Sequence, residues 1–330
     1  MLLSAPRRSA TLPPEVTRDL QLQGYHCLPD ALDPLRATAL LTDLKAAHPF
    51  DRQLFLSEAE FDADPVWRGV NPRPGRNLLD RFEAQLDLVE ADPGVTDALV
   101  ALLGADYLRL DRKVVCGVPE TEIPTWLQQR IRGNPVNNLG PYVRPEYRDV
   151  TYFMGIDFHQ DLIDWPDRPA DLITLYVYLH KVTEADAPLQ ILDGSHCRGA
   201  GVFPHPLTLM APDRWRYGSD PATASEHRQI KLTGPAGFVA LWHACTLHGT
   251  QPDAADHERI SLRYLFARSP TAPAGTVGLD LINDGLTGPL TLPTTRADLD
   301  ADGRAILKAN SVNQSLGLPA APAASRSPNL

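Results

Sequence analysis

Cysteine is scarce in this 330-residue chain, and its four copies, Cys27, Cys116, Cys197 and Cys245, show no C-x-x-C spacing. Neither a structural zinc site nor a disulfide framework is suggested, so reduced buried thiols are expected. Positive charge is also in deficit. With 31 Lys and Arg against 41 Asp and Glu, the formal net charge is -10, which argues against a nucleic acid or an anionic membrane as partner. Nowhere do about 18 apolar residues run uninterrupted, the length a membrane-crossing helix needs. Met1 to Arg8 holds two arginines but is followed by no apolar stretch before Pro13 and Pro14, so no secretory leader is read there and a cytoplasmic location is the expectation. No internal repeat and no linker divides the chain. One domain over residues 11–317 is expected, with disordered ends at 1–10 and 318–330, where too little apolar surface exists to offset the cost of ordering.

Proline, by contrast, is abundant at 31 residues, and hydrophobic residues make up 43%. That combination favours short strands, turns and long loops around a sizeable core over a helical bundle. Pro14 to Gln23 reads as a helix and Gly24 to Pro29 as a strand entering a turn. Asp33-Pro34 is a capping residue followed by proline at the first helical position, opening a helix to about Ala47 with Leu35, Ala39, Leu40 and Leu44 as its buried stripe. Asp92-Pro93 repeats the signal, Val95, Leu99, Leu102 and Leu103 follow at helical spacing, and Gly104 ends the run. A short helix is read near Ser57 to Asp62, and a late one near Ala297 to Ala309. Strands are predicted at Tyr107–Val115, Leu172–Val182, Pro188–Leu192, Gly237–Trp242 and Ile260–Arg268. In the second of these, aliphatics alternate with Thr174, Tyr176 and Tyr178, the two-residue period of a strand.

The chemistry concentrates at Gly155-Ile156-Asp157-Phe158-His159-Gln160-Asp161 and at Leu247-His248-Gly249-Thr250. On an extended strand His159 and Asp161 leave the same face and can converge on one ion, while Gln160 faces away. A distant His248 would complete two imidazoles and one carboxylate, a ligand set with half the coordination sphere open that suits a non-haem Fe(II) oxygenase. The spacing H-x-D alone is weak, because core histidines beside an exposed aspartate are common. Its context is more specific: an apolar strand, the turn Asp193-Gly194-Ser195-His196, a second apolar strand, His248, and then Arg259 before a final strand.

In that order of motifs the chain resembles the phytanoyl-CoA dioxygenase-like family of Fe(II)/2-oxoglutarate oxygenases, over roughly residues 10–270, with the specific motifs in 155–265. The resemblance implies a mainly β fold with flanking helices, a double-stranded β-helix or jelly-roll, cupin-like barrel. It implies His159, Asp161 and His248 as metal ligands, and Fe(II), 2-oxoglutarate and O2 as cofactor and co-substrates. Arg259 matches the arginine that neutralises the far carboxylate of the co-substrate through paired hydrogen bonds. Arg263, four residues on and of the same strand parity, is the rival. Thr250 resembles a hydroxyl residue that helps hold that carboxylate, and Lys113 matches a family lysine that contacts the co-substrate. Because Asp161 supplies a carboxylate where halogenating relatives carry a small residue, hydroxylation of a small molecule is the expected outcome.

Several residues are given plainer roles. Ser195-His196 reads as an architectural turn, His243 differs from His248 in strand parity, and Trp165 and Trp242 read as packing. The stretch 119–150, rich in proline and arginine, is expected as a lid inserted over the barrel mouth. Arg109, Arg112, Lys113, Arg130, Arg132, Arg144 and Arg148 read as a solvated basic face, the alternative being a pocket for an anionic substrate. Two other functions stay open: a cupin-fold divalent-metal isomerase or hydrolase that uses no oxo acid, and a binding module without turnover.

Overall fold

Capping residues set the helices that open the chain. In the computed structural model, which describes residues 14–28, 30–63, 77–251 and 255–299, Pro14–Gln23 forms α1, Tyr25–Leu28 forms β1 and Pro34–Ala47 forms α2. The Asp33 carboxylate accepts the Leu35 N–H at 2.8 Å, satisfying one of the donors a helix start leaves unpaired. Glu58–Ala63 is α3, Asp87–Glu90 is α4 and Pro93–Leu103 is α5. Asp92 caps α5 by accepting from Val95 N–H at 3.0 Å, and Gly104 ends it at φ 92°.

The buried stripe of α2 differs from the expected one. Ala37, Leu40 and Leu44 are buried, whereas Leu35 is 81% exposed and Ala39 is also exposed. The face is set by the 37, 40, 44 series at three- and four-residue steps, which leaves positions 35 and 39 turned away from it.

The strands follow as β2 (Leu108–Gly117), β3 (Val136–Asn138), β4 (Thr151–His159), β5 (Leu172–Tyr178) and β6 (Leu189–Leu192). After them come β7 (Leu207–Ala211), β8 (Arg214–Tyr217), β9 (Ser225–Leu232), β10 (Val239–His243), β11 (His248–Thr250) and β12 (Arg259–Ala267). They hydrogen-bond in the order β1-β10-β5-β12-β2-β4-β11-β6-β9-β8-β7, with β3 added to β4. The path has two free ends, so the sheet is not closed. Every neighbouring pair is antiparallel except β2 with β4, which is a short parallel junction. That junction divides the path into a major sheet, β1-β10-β5-β12-β2, and a minor one, β4-β11-β6-β9-β8-β7. The chain passes between them: β2 major, β4 minor, β5 major, β6 and β9 minor, β10 major, β11 minor, β12 major. This alternation is a double-stranded β-helix, the jelly-roll expected.

The strand β5 is buried along its whole length, and its alternation has a physical cause. Ile173, Leu175 and Val177 join the core that includes Leu40, Leu44, Leu99 and Leu102 of the helices. Tyr176 and Tyr178 face the other way, into the barrel, with Val115, Leu189, Phe238 and Trp242. The major sheet therefore has an apolar outer face packed on helices and an inner face free to carry polar side chains.

Residues 119–150, expected as a lid, contribute side chains to the outer core and one strand to the sheet. Leu127 and Ile131 from the helix Thr125–Ile131 (α6), with Leu139 and Val143, join the outer core, and β3 pairs along β4. The basic side chains before the metal motif are spent on exterior pairs: Arg109 with Glu90, Arg112 with Glu83 and Glu90, Arg130 with Asp62, and Arg144 with Glu60. Arg148 donates to the carbonyls of Val143 and Pro141 and Arg132 is exposed; Lys113 alone of the seven lines the barrel cavity.

Three strands, β7 to β9, and the helix Gly278–Asp284 (α7) carry no clear signal in the sequence. β9, Ser-Glu-His-Arg-Gln-Ile-Lys-Leu, exposes much of its length, so its polar composition hides the strand. The helix expected near 297–309 lies almost wholly outside the described residues, as do both chain ends.

Candidate metal and co-substrate site

The strand β4 ends at His159, and a short 3-10 turn, Asp161–Asp164, begins two residues later. Asp161 is thus not on the strand, contrary to expectation. Gln160 between them is nevertheless extended, at φ -106° and ψ 149°, so its two neighbours still project to one side. Gln160 itself points away and pins the turn. Its amide donates to the carbonyls of Gly199 and Cys245 and its oxygen accepts the Gly201 N–H, each at 2.8 Å.

Opposite, β11 places His248 in register with His159, and the ring centres are 4.3 Å apart. Gly249 makes this approach possible, since a Cβ there would stand 2.7 Å from the Ile156 carbonyl oxygen. One ligand atom from each of His159, Asp161 and His248 can be chosen so that all lie within 4.8 Å of one another.

Each imidazole is oriented in the same way. Nδ1 of His159 contacts the Asp157 carbonyl and Nδ1 of His248 the Thr246 carbonyl, both at 3.0 Å. A carbonyl can only accept, so Nδ1 carries the proton and the Nε2 lone pair is left for a metal. Burial drives both imidazole pKa values down, keeping the rings neutral and able to ligate. Burial alone would raise the Asp161 carboxyl, but the Arg263 guanidinium, with the Thr174 hydrogen bond adding to it, outweighs burial and holds it well below the usual carboxylate range. Two neutral nitrogens and one anionic oxygen on one side of a cavity fit a divalent iron with three positions left open.

The Asp161 carboxylate is held by three residues, none of which the sequence singled out for this role. Trp242 Nε1 donates to Oδ2 at 2.7 Å, Thr174 Oγ1 donates to the same oxygen, and Arg263 Nη2 donates to Oδ1. Trp242 and Thr174 are direct cross-strand partners on β10 and β5, which is why their donors converge. The available signal was parity: both lie on the inward face, and a buried indole N–H needs an acceptor.

The two candidate arginines part company here. Arg259 pairs with Gly117 in the β12–β2 register and Arg263 with Lys113. Four strand residues separate them by about 13 Å. Arg263 is bound to the Asp161 carboxylate. Arg259 is 2% exposed, donates to the Ala187 carbonyl at 2.6 Å, and lies with its guanidinium carbon 5.8 Å from the centre of the Tyr176 ring. Both line one cavity together with Lys113, Thr250, His159, Asp161 and His248. Lys113 sits in the metal half, opposite Arg263. Its pKa is pushed down to about 8, first by burial and then by Arg263, and its Nζ is 3.8 Å from Asp111. His243 points elsewhere, to Asn283 at 2.9 Å.

The sequence model of the phytanoyl-CoA dioxygenase (PhyH) family matches residues 20–261. The chain belongs to this family. In the phytanoyl-CoA dioxygenase family, Fe(II) and 2-oxoglutarate are the cofactor and co-substrate, and the donor set just described suits that metal. This member is 30% identical to a probable alpha-ketoglutarate-dependent hypophosphite dioxygenase of Stutzerimonas stutzeri over 128 residues, 36% of this chain and 41% of the relative. The chain therefore spans well under half the length of that relative. Among solved structures it is similar to the non-heme alpha ketoglutarate dependent carbocyclase SnoK from nogalamycin biosynthesis, with TM-score 0.47 and 13% identity over 80% of this chain and 87% of that one. It is similar also to EvdO2 from Micromonospora carbonacea var. aurantiaca complexed with 2-oxoglutarate, with TM-score 0.46 and 12% identity over 83% and 96%. Among the described residues no helix is long and apolar enough to cross a membrane.

Proposed function

We propose that this protein is an Fe(II)- and 2-oxoglutarate-dependent dioxygenase that hydroxylates an unactivated C–H bond of a small molecule. One oxygen atom of O2 enters the product and the other enters succinate, as 2-oxoglutarate loses carbon dioxide. The observation that carries the reading is the convergence of His159, Asp161 and His248 in a cavity that the buried Arg259 also lines. His159 Nε2, one Asp161 oxygen and His248 Nε2 are the ligands in this reading. Iron supplies the activation of O2 when bound, and the protein supplies position and charge.

Arg259 is the residue for the far carboxylate of 2-oxoglutarate. A co-substrate whose keto and near-carboxylate oxygens face the metal places its far carboxylate several bonds from the metal, away from Arg263 and towards Arg259. Thr250, on the same cavity wall, offers a hydroxyl donor for it, and Lys113 faces the metal-end carboxylate. A metal isomerase or hydrolase of similar fold needs no second buried cation in the cavity, which favours the oxygenase.

The relative named for hypophosphite makes a compact oxyanion the first substrate to assay. The protein acts in the cytoplasm in this reading. The test is formation of succinate from 2-oxoglutarate under air, with and without Fe(II), in the wild type and in His159→Ala. Iron-dependent succinate lost in the variant supports the assignment; succinate formed equally by both variants overturns it.

A further inference from the structure

The ligand Asp161 is more heavily hydrogen-bonded than a single metal bond requires. A carboxylate offers about four lone-pair sites, and three donors already occupy the one at position 161. They are the Thr174 hydroxyl and the Trp242 indole on Oδ2 and the Arg263 guanidinium on Oδ1. Thr174, Trp242 and Asp161 are all buried, so water does not compete for these contacts. The donors come from three neighbouring strands of the major sheet, β10, β5 and β12, and reach across to a ligand on the turn that follows β4. The sheet that packs on the helices thus grips a ligand presented by the other one.

We infer that Thr174, Trp242 and Arg263 are positioning residues that restrict Asp161 to a single point of attachment on the metal, keeping the remaining positions open for the co-substrate. With three lone-pair sites engaged, one remains, so the carboxylate cannot chelate through both oxygens without giving up a buried donor. Leaving a buried donor unpaired carries a desolvation penalty that chelation must overcome. A carboxylate that does chelate occupies a position that 2-oxoglutarate needs. The consequence is specific: removing a donor weakens co-substrate binding even when metal is saturating, although none of the three donors has to touch the co-substrate. The inference rests on the oxygenase reading, because it assumes that 2-oxoglutarate binds the metal held by this triad.

Cobalt(II) is a spectroscopic probe that tests this without turnover. Its visible bands report coordination number, and 2-oxoglutarate binding to the cobalt-loaded protein is measured by calorimetry in wild type, Trp242→Phe, Thr174→Val and Thr174→Ser. In the first two variants, at saturating cobalt, the 2-oxoglutarate Kd is expected to rise by about tenfold, the lower end of what loss of a partner to a metal ligand causes. The cobalt bands are expected to shift towards higher coordination, and Thr174→Ser, which keeps the hydroxyl, to behave as wild type. A merely structural role for these side chains lowers the thermal midpoint but leaves Kd at saturating metal unchanged, and a Kd within twofold of wild type in a folded variant overturns the inference. Should Thr174→Val not fold, Trp242→Phe, which keeps an aromatic ring in place, reads the same quantity. Failure of wild-type protein to bind cobalt or 2-oxoglutarate overturns the oxygenase reading itself, a distinguishable result.

Discussion

One strand, β12, carries two regions of opposite character. Its outward residues Ile260, Leu262, Tyr264 and Phe266 sink into the helix-packed core, while Arg259 and Arg263 on the inward face line the cavity. The outer face serves stability through apolar area removed from water; the inner face bears buried charge that stability alone does not call for. Within the inner face the contrast repeats. The two arginines share a strand, a parity and a chemistry, yet one is tied to the Asp161 carboxylate and the other reaches a backbone carbonyl and an aromatic ring. Residue type and periodicity bring a guanidinium inside the barrel. Which anion it serves depends on what stands opposite it.

The sharpest way to break this division is His159→Ala, an inner-face change expected to reduce iron-dependent succinate formation to background while leaving the circular dichroism of the fold intact. Next is the arginine pair. Arg259→Gln is expected to raise the KM for 2-oxoglutarate by about 100-fold, since truncating one partner of a buried charge pair costs about 2–5 kcal/mol. Arg263→Gln is expected to raise it by no more than about tenfold and to weaken metal affinity by a similar factor. Steady-state kinetics with a metal titration separates the two, and the reverse ranking makes Arg263 the co-substrate arginine.

On the outer face, Leu262→Ala is expected to cost about 2–5 kcal/mol of stability with an unchanged KM. Denaturant unfolding checks this, and a raised KM would show that the two faces are not separable.

A smaller effect comes from buried imidazoles outside the ligand triad. Burial lowers His196 to about 4 and His205 and His243 to about 3, with neighbouring histidines adding to it. Below pH 6.5 the unfolded chain takes up protons that these folded groups refuse, so stability is full above about 6.5 and is lost as pH falls towards 4. The slope is at most about 1.4 kcal/mol per pH unit for each histidine. Unfolding free energies at pH 7, 6 and 5 test it, and a flat profile contradicts it. Smallest of all, Leu35→Ser on the exposed side of α2 is expected to change stability by less than about 0.5 kcal/mol.

Much of this was legible in the chain itself. The Asp-Pro caps located α2 and α5, because a capping carboxylate and a fixed φ act within one turn and need no distant partner. The alternation of Ile173, Leu175 and Val177 with Thr174, Tyr176 and Tyr178 predicted a strand with two different faces. H-x-D and the later His-Gly-Thr marked the candidate ligands, and their order along the chain marked the family. Other features escaped for physical reasons. The strand β9 is polar because one side meets solvent, and the stretch 119–150 reads as irregular although its apolar residues dock in the outer core.

What the sequence by itself determined was local: which residues start helices, which alternate, and which side chains can ligate a metal. Only the tertiary structure decided that Trp242 and Thr174 converge on Asp161, that Arg263 is tied to that carboxylate while Arg259 reaches the Ala187 carbonyl, and that six of the seven basic residues ahead of the motif serve outside the cavity. Those outcomes depend on distances between strands far apart in the chain. Periodicity tells which way a side chain points; the register of the strand opposite determines what it meets.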